Sequence, residues 1–285
     1  MKSILLPLTH TIEAATITRI ASELALQGQG SLTGLFIRPD PRMAIPFMGE
    51  GLTAEMIQHL CDTAETEGKA NAAKAETAFR EAVNRQGLKL LDTGERAEGG
   101  RARWRVVTGQ INDHAGRSAR TSDLTVCLQP DGDAPDSDDI FHDLIFRSGR
   151  SVLMVPGSYT GSVGRHVMIA WNGRAEGARA VGGAIPLLLG AEKVTIVQIG
   201  DIDPVRPDFE DLEDYLEEYG ITATTRNDTD KGESIGNQLL ETATKIDADC
   251  IVLGAYSHSR WREMVLGGAT RHIVSKSKLP IFMSH

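Results

Sequence analysis

The sequence has few cysteines, no excess of positive charge and no long apolar run. Three cysteines in 285 residues are too few and too scattered for a disulfide scaffold or a cysteine-rich zinc site. Lysine and arginine number 30 against 39 aspartates and glutamates, and the resulting net charge of −9 argues against a nucleic-acid-binding protein. An apolar run of about 18 residues and a secretory leader are also lacking. We therefore expect a cytoplasmic protein with no membrane or nucleic-acid partner.

The remaining composition is that of an ordinary globular chain. Apolar residues make up 41% and charged residues 24%, which excludes a largely disordered chain. The length is about twice that of a usual domain, so the chain is expected to form two compact domains.

An internal repeat supports this division. Residues 3–6 align with residues 166–169 at an offset of 163, and the same offset pairs Asp40 with Asp203 without a gap. Few residues are identical, but both stretches share the order of an apolar run, a helix-like segment, a second apolar run and Asp-Pro. Such self-similarity is typical of a duplicated structural unit.

The correspondence resumes further along the chain. Residues 122–127 resemble residues 248–253, and residues 156–162 between the two copies are rich in turn formers, which is typical of a linker. We predict two homologous domains, residues 1–157 and residues 163–285.

The second copy alternates short apolar runs with helix-like segments. The apolar runs predict strands that are buried on both faces, at residues 166–171, 193–199, 221–225, 250–253 and 279–283. The intervening segments predict helices at residues 175–189, 208–219, 233–246 and 267–277. The first copy repeats this order, with residues 103–107 as its third strand. The alternation predicts an α/β fold with a doubly wound parallel sheet, in which ligands bind outside the carboxyl ends of the strands.

A glycine-rich pattern follows the fourth strand of the second copy. Gly254 ends that strand, and Gly267 and Gly268 open the last helix after a loop. A glycine lets the backbone approach a ligand closely, and the N–H groups of a helix N-terminus attract anions. The stretch 254–285 carries a formal charge of +4, which would suit a polyphosphate. In the alternative interpretation, the glycines end a strand and form a turn, and the basic residues are solvated.

The C-terminal segment resembles the signature of the universal stress protein family, whose nucleotide-binding members carry Gly-x2-Gly-x9-Gly-Ser/Thr. Gly254 and Gly267 occupy the first and third positions of this motif. Ser257 replaces the second glycine, and Gly268 replaces the Ser/Thr. Thr270 lies two residues further on, where its hydroxyl could substitute for the missing one.

The opening of the second copy is similar to the first strand and loop of the same family, which usually end in Asp-Gly-Ser. Here the loop reads Asn172-Gly173-Arg174. The resemblance implies a five-stranded parallel sheet in each domain and a pairing of the two domains through their last strands. It further implies that Asn172 and Ile199 face an adenosine. Ribose and phosphate contacts would come from Gly254, Ser257, Gly267 and Gly268, with Thr270 as a further candidate.

The resemblance implies a stress-response protein that binds one ATP or other adenine nucleotide, with Mg²⁺ or Mn²⁺ beside the phosphates. No metal site formed by protein ligands alone is predicted. The sequence has no Walker lysine and no evident general base, so we expect no enzyme activity beyond a slow ATPase. A homodimer is expected in addition to the pairing inside the chain. In the alternative, the protein binds no nucleotide and acts as a scaffold through dimerisation and protein partners.

The first copy departs from the nucleotide-binding pattern. Thr9-His10 stands where the second copy has Asn172-Gly173, and the glycine spacing is absent. We expect a carboxylate-rich loop that would repel phosphate, formed by Asp131, Asp133, Asp136, Asp138, Asp139 and Asp143. Two other interpretations of this loop stay open, a divalent-cation site and a merely solvated loop.

Residues 232–236 also match the Gly-x-Ser-x-Gly motif of serine hydrolases. Ser234, Asp249 and His258 even follow the chain order of a hydrolase triad. However, a polar loop rather than a strand precedes Ser234, which favours the start of a helix. A hydrolase is therefore the remote alternative.

Overall fold

The computed structural model describes residues 1–10, 14–44, 53–92, 95, 97–130, 135–201, 204–255 and 268–285. These residues form eleven strands: β1 (Ser3–Leu8), β2 (Ser31–Arg38), β3 (Lys89–Leu90), β4 (Arg101–Thr108), β5 (Leu124–Leu128), β6 (Ser151–Val155), β7 (His166–Ala170), β8 (Lys193–Ile199), β9 (Ala223–Asp228), β10 (Cys250–Gly254) and β11 (Ile281–Ser284).

The same residues form eight α-helices and a 3₁₀ turn at Pro41–Ala44. The helices are α1 (Ala15–Gln27), α2 (Ala54–Arg85), α3 (Ile111–Ala119), α4 (Pro135–Arg147), α5 (Ala175–Leu188), α6 (Phe209–Glu217), α7 (Ile235–Lys245) and α8 (Gly268–Lys276).

All the strands belong to one sheet, in the order β3-β4-β2-β1-β5-β6-β11-β10-β7-β8-β9. Strands β6 and β11 pair antiparallel, with Met154 opposite Ile281, and the other pairings are parallel. The predicted α/β doubly wound class is confirmed. The last strands of the two halves pair with each other, as the resemblance implied.

The strands at this junction are buried on both faces. Every residue of β5, β6 and β11 is buried, and Leu153 of β6 lies opposite Phe282 of β11 with neither side chain exposed. Continuous apolar runs rather than alternating ones are what a parallel sheet with helices on both faces requires. The apolar core is therefore continuous from one half of the sheet to the other.

Two elements of the first half differ from the expected plan, one by its presence and one by its length. The resemblance implied five strands in each domain, but the two-residue strand β3 adds a sixth beside β4. Helix α2 precedes it with 32 residues, about 48 Å at 1.5 Å per residue. Thr53 caps the helix by accepting a hydrogen bond from the backbone of Met56. Its buried residues are Ala72, Phe79 and Val83, so only its second half packs on the sheet.

An aspartate repeats in both halves at the residue before the fourth long strand. Asp123 accepts hydrogen bonds from the backbone N–H groups of Lys2 and Ser3, at 2.8 and 3.0 Å. Asp249 accepts from the backbone N–H groups of residues 164–166 at 2.9 to 3.2 Å. Each carboxylate thus fixes the start of the first strand of its half, which extends the internal repeat from sequence to hydrogen bonding.

The segment between the halves is bonded to both of them. Thr16 and Arg19 of α1 donate to the backbone oxygens of Gly157 and Gly161. Tyr159 donates to the backbone oxygen of Asp249 at 3.2 Å. The domain limits, residues 1–157 and 163–285, stay a prediction. None of the helices described has both the length and the apolar character needed to cross a bilayer.

Candidate functional site

Four of the predicted site residues lie at one edge of the sheet. Asn172 follows β7, Ile199 ends β8 and Gly254 ends β10, and these parallel strands are neighbours in the order β10-β7-β8. Helix α8 begins at Gly268, after β10. After β7 the chain adds β8 and β9 on one side of that strand and then β10 on the other side. The gap between β7 and β10 is therefore the topological switch point, where open α/β sheets bind ligands.

Gly268, at the start of α8, is not covered by any other described residue. Gly268 is exposed, and an added Cβ would meet no atom within 4 Å among the described residues. The first-turn N–H groups of a helix have no partner within the helix and carry partial positive charge. Thr270 is only 8% exposed and belongs to the packed side of the helix. Two other predicted residues, Ser257 and Gly267, lie outside the described residues.

Asn172 holds the turn between β7 and α5. Its Oδ1 accepts a hydrogen bond from the backbone nitrogen of Arg174 at 3.1 Å, around Gly173 with φ at +63°. One acceptor position of the side chain is therefore used locally. The amide NH₂ remains as a donor, whereas an aspartate at this position would offer only acceptors.

Gly254 is required by the packing of a helix. A Cβ at this position would run into the backbone nitrogen of Gly177 and lie 2.6 Å from the carbonyl carbon of Glu176. Both residues belong to the first turn of α5. One interpretation of the sequence left the space beside this glycine for a ligand, but in the structure the start of α5 occupies that space. The glycine brings α5 close to the end of β10, and so shapes the edge indirectly.

Trp171 is a site-shaping residue that the sequence analysis missed. Its indole is 7% exposed and donates to the backbone oxygens of Asp208 at 2.8 Å and Pro207 at 3.1 Å. Asp208 is the N-cap of α6. The side chain therefore ties the end of β7 to the start of α6, immediately beside Asn172. The sequence did contain a signal for this role, namely a tryptophan at the end of the predicted first strand of the second copy.

The equivalent edge of the first half is closed by a larger side chain. In the alignment of the two copies, Leu128 stands where the second copy has Gly254. Leu128 is 7% exposed and Thr9 is 4% exposed, so both are packed rather than open to a ligand. The close approach that Gly254 allows is therefore absent at Leu128, which agrees with the departure of the first copy from the nucleotide-binding pattern.

The six aspartates expected to crowd one loop of the first half do not all lie there. Asp131 and Asp133 are outside the described residues. Asp136, Asp138 and Asp139 lie in the first turns of α4, where carboxylates favour the positive end of the helix. Asp143 is 1% exposed and accepts a hydrogen bond from the backbone N–H of Gly116 at 2.5 Å. Counting Asp143 as a loop carboxylate was wrong, because it holds α4 against α3.

Desolvation dominates the electrostatics of Asp143. It raises the pKa of this carboxyl group, although the Gly116 hydrogen bond and Arg147 act in the opposite direction. Within the part of the chain that the structure describes, no three histidine, cysteine or acidic side chains gather as metal ligands would.

The proposed hydrolase triad does not come together. Ser234 lies six residues after the end of β9 and directly before α7, so no strand leads into it. Asp249 lies at the amino end of β10, at the other end of the 11-residue α7, about 16 Å away along the helix. His258 is outside the described residues. Asp249 therefore has the anchoring role described above, and Ser234 starts a helix.

A cavity of about 490 Å³ lies elsewhere, between the two halves. Leu24, Gly28, Leu187 and Leu189, from the C-terminal ends of α1 and α5, contribute to its lining together with Val163 of the connecting segment. Because α5 runs antiparallel to the strands, its C-terminus is at the amino edge of the second half. The cavity is thus opposite the edge that carries Gly254 and Gly268.

Solved structures with the same architecture cover almost the whole chain. A universal stress protein from Archaeoglobus fulgidus DSM 4304 matches with a TM-score of 0.69 and 13% identity, over 98% of this chain and 97% of its own. A candidate universal stress protein from Pseudomonas aeruginosa UCBPP-PA14 matches with a TM-score of 0.58 and 12% identity, over 100% and 93%. The chain has the fold of a universal stress protein.

A protein of unknown function from Pseudomonas aeruginosa PAO1 shares this universal stress protein fold. It matches with a TM-score of 0.54 and 12% identity, over 98% of this chain and 92% of its own. No family model matches the sequence, and no curated protein matches it. The fold is thus clear from structure where sequence similarity is low.

Proposed function

We propose that this chain is a cytoplasmic universal stress protein that acts in stress response and binds one adenine nucleotide, ATP or a related molecule. The site is the carboxyl edge of the C-terminal half. One observation carries the proposal: Gly268 at the N-terminus of α8, which no other described residue covers, belongs to the same edge of the sheet as the ends of β7, β8 and β10.

The described residues have distinct roles in this site. Ile199 is partly exposed at the end of β8 and offers an apolar contact for the adenosine, while the amide of Asn172 offers a donor. The first N–H groups of α8 bind the phosphates, and Gly268 leaves them accessible. Ser257 and Gly267 belong to the same proposal on sequence grounds. A Mg²⁺ or Mn²⁺ ion would neutralise phosphate charge.

We expect binding without appreciable turnover. The sequence supplies no Walker lysine, and the proposed residues at this edge are backbone groups, an amide and an apolar side chain. None of these can take a proton from water at neutral pH. ATP hydrolysis should therefore be slow or absent.

Mass spectrometry of ligand released from the purified protein, and calorimetry with ATP and Mg²⁺, test the proposal. We expect one nucleotide per chain. The variant Gly268→Trp should abolish binding, because the indole would cover the first N–H groups of α8, and no other described residue covers Gly268. Gly182→Trp is the matched control, since Gly182 is also an exposed helical glycine but lies within α5.

The alternative is a scaffold that binds no nucleotide. Two observations favour it: an acceptor position of Asn172 is used by a turn, and the space beside Gly254 is filled by α5. No nucleotide in either assay, together with no heat at millimolar ATP, would replace the first proposal by this one. We propose a homodimer in both cases, which light scattering of the purified chain tests.

A further inference from the structure

An arginine cluster of the first half lies at the same edge of the sheet as the candidate nucleotide site. Because β6 and β11 are antiparallel, the start of β6 is beside the end of β11. The Oγ atoms of Ser151 and Ser284 are 3.0 Å apart, and Ser284 is paired with Gly254. Two strand spacings, about 10 Å, therefore separate the backbone at Ser151 from Gly254.

The arginine cluster consists of Arg120, Arg147 and Arg150, which are all exposed. Nε of Arg150 donates to the backbone oxygen of Arg120 at 3.1 Å, and Nε of Arg120 donates to the backbone oxygen of Arg147 at 3.1 Å. Nη1 of Arg147 donates to the backbone oxygen of Asn112 at 3.2 Å. These bonds gather three guanidinium groups on one surface. Arg117 lies one helical turn before Arg120 and adds a fourth exposed arginine.

Little negative charge balances the cluster. Among the described residues, neither Arg120 nor Arg150 forms an ion pair, and Arg147 has only Asp143, with 3.6 Å between Nε and Oδ1. Asp143 is buried, and desolvation disfavours its charged form. Asp123 directly precedes β5, and Arg150 directly precedes the neighbouring strand β6. The carboxylate of Asp123 accepts from the backbone at the start of β1 and forms no ion pair with Arg150 among the described residues. The patch is therefore positive in a protein whose net charge is −9.

Capping of helix ends explains only part of this arrangement. Arg120 donates to the carbonyl oxygen of Arg147, the last residue of α4. Arg150 donates to the carbonyl oxygen of Arg120, the C-cap residue of α3. Each of these bonds uses Nε alone. The two terminal nitrogens of both guanidinium groups have no partner among the described residues, so each arginine presents an end-on fork that is already held in place. Such forks bind phosphate oxygens in a bidentate way.

We propose that the arginine cluster binds a phosphoanion with at least two linked phosphoryl groups, such as an inorganic or organic di- or triphosphate. One phosphoryl group would be held by the fork of Arg120 and the next by the fork of Arg150. Bidentate pairing and repeated negative charge suit this class better than a monovalent carboxylate. The site is separate from the one at Gly268 and does not depend on nucleotide binding there.

Calorimetric titration of the full chain with inorganic tripolyphosphate at low ionic strength tests the proposal. We expect the double variant Arg120→Gln/Arg150→Gln to bind about tenfold more weakly than the wild type, because charge-assisted bonds are lost. Arg85→Gln/Arg105→Gln is the matched control, since it removes the same charge from two exposed arginines outside the cluster that form no ion pair among the described residues. Equal weakening in both double variants would show a non-specific charge effect and overturn the proposal.

Two further measurements keep the result independent of folding and of the nucleotide site. In the wild type, tripolyphosphate should shift the Nε–Hε NMR signals of Arg120 and Arg150 but not that of Arg85, and unshifted cluster signals would refute the site. The variant Gly268→Trp should bind tripolyphosphate as the wild type does at the cluster while losing ATP at α8. Loss of both ligands in that variant would mean that the only phosphate site is the one at Gly268.

Discussion

Gly254 and Gly268 belong to one sequence motif, but the structure gives them different surroundings. A side chain at Gly254 would meet the backbone of α5, whereas a Cβ at Gly268 would meet no other described residue within 4 Å. Glycine is therefore needed for packing at the first position, whereas the described residues set no such requirement at the second. Spacing in a sequence does not separate these two cases.

Substitution by alanine distinguishes the two glycines. Gly254→Ala should lower the free energy of unfolding by about 1–3 kcal/mol, because backbone atoms of α5 must move away from the new Cβ. Gly268→Ala should leave it unchanged or raise it by up to about 1 kcal/mol, because alanine is the better helix former. Urea unfolding followed by circular dichroism measures both. Equal midpoints for the two variants would contradict the close contact at Gly254.

Asp143 makes a pH-dependent contribution to stability. Its pKa is raised in the folded protein, mainly by desolvation, so the folded state holds the proton to higher pH than the unfolded state does. The wild type should therefore lose stability as the pH rises from the unfolded-state pKa through the folded-state pKa.

The variant Asp143→Asn removes this loss, since its amide oxygen can still accept from Gly116. We expect the variant to be more stable than the wild type at pH 7, with a difference that shrinks toward zero as the pH falls below about 4. Urea midpoints between pH 4 and pH 8 measure it. Asp214→Asn, at an exposed position of α6, should differ from the wild type by less than about 0.5 kcal/mol across this range. A wild type more stable than Asp143→Asn at pH 7 would reverse the assigned direction.

At the scale of elements, the strands of the second half were the most predictable. The predicted strand at residues 193–199 coincides with β8, and the predicted helix at residues 175–189 differs from α5 by one residue. Buried strands and helices packed on them carry strong apolar patterns, because both are in contact with the core. The bounds of helix α2 were not predicted, because most of its length contacts no core and its first half carries no buried residue.

The two halves of α2 should differ in hydrogen exchange. The buried side chains begin at Ala72, whereas Met56 and Leu60 in the first half are 50% and 42% exposed. Backbone amides of residues 57–70 should therefore exchange at least about tenfold faster than those of residues 79–85, because local opening of the first half exposes no buried side chain. Mass spectrometry of deuterium uptake by peptides of α2 measures this. Uniform protection along the helix would show that another surface covers its first half.

At the scale of the whole molecule, the pairing of β6 with β11 joins two repeated units into one sheet. The junction is fully buried, and Leu153 and Phe282 contact each other across it as paired residues. Gln129 of the first half also donates to the backbone oxygen of Val274 in α8, at 2.6 Å. The halves therefore share a core and a helix end, in addition to the chain that connects them.

Unfolding should reflect this shared core. We expect a single cooperative transition, with equal calorimetric and van't Hoff enthalpies, because neither half can unfold without exposing the junction. Differential scanning calorimetry measures the ratio of the two enthalpies. A first transition that leaves one half folded would show that the junction contributes less than the separate cores.

The order of strands and helices, the internal repeat and the doubly wound class were determined by the sequence itself. Each depends on the order of apolar runs and polar segments along the chain, which can be read from neighbouring residues. The partners of Gly254, Trp171 and Asp143, and the gathering of the arginine cluster, were decided only by the tertiary structure. These contacts join residues from different elements, and a single sequence contains no record of which elements face each other once the chain has packed.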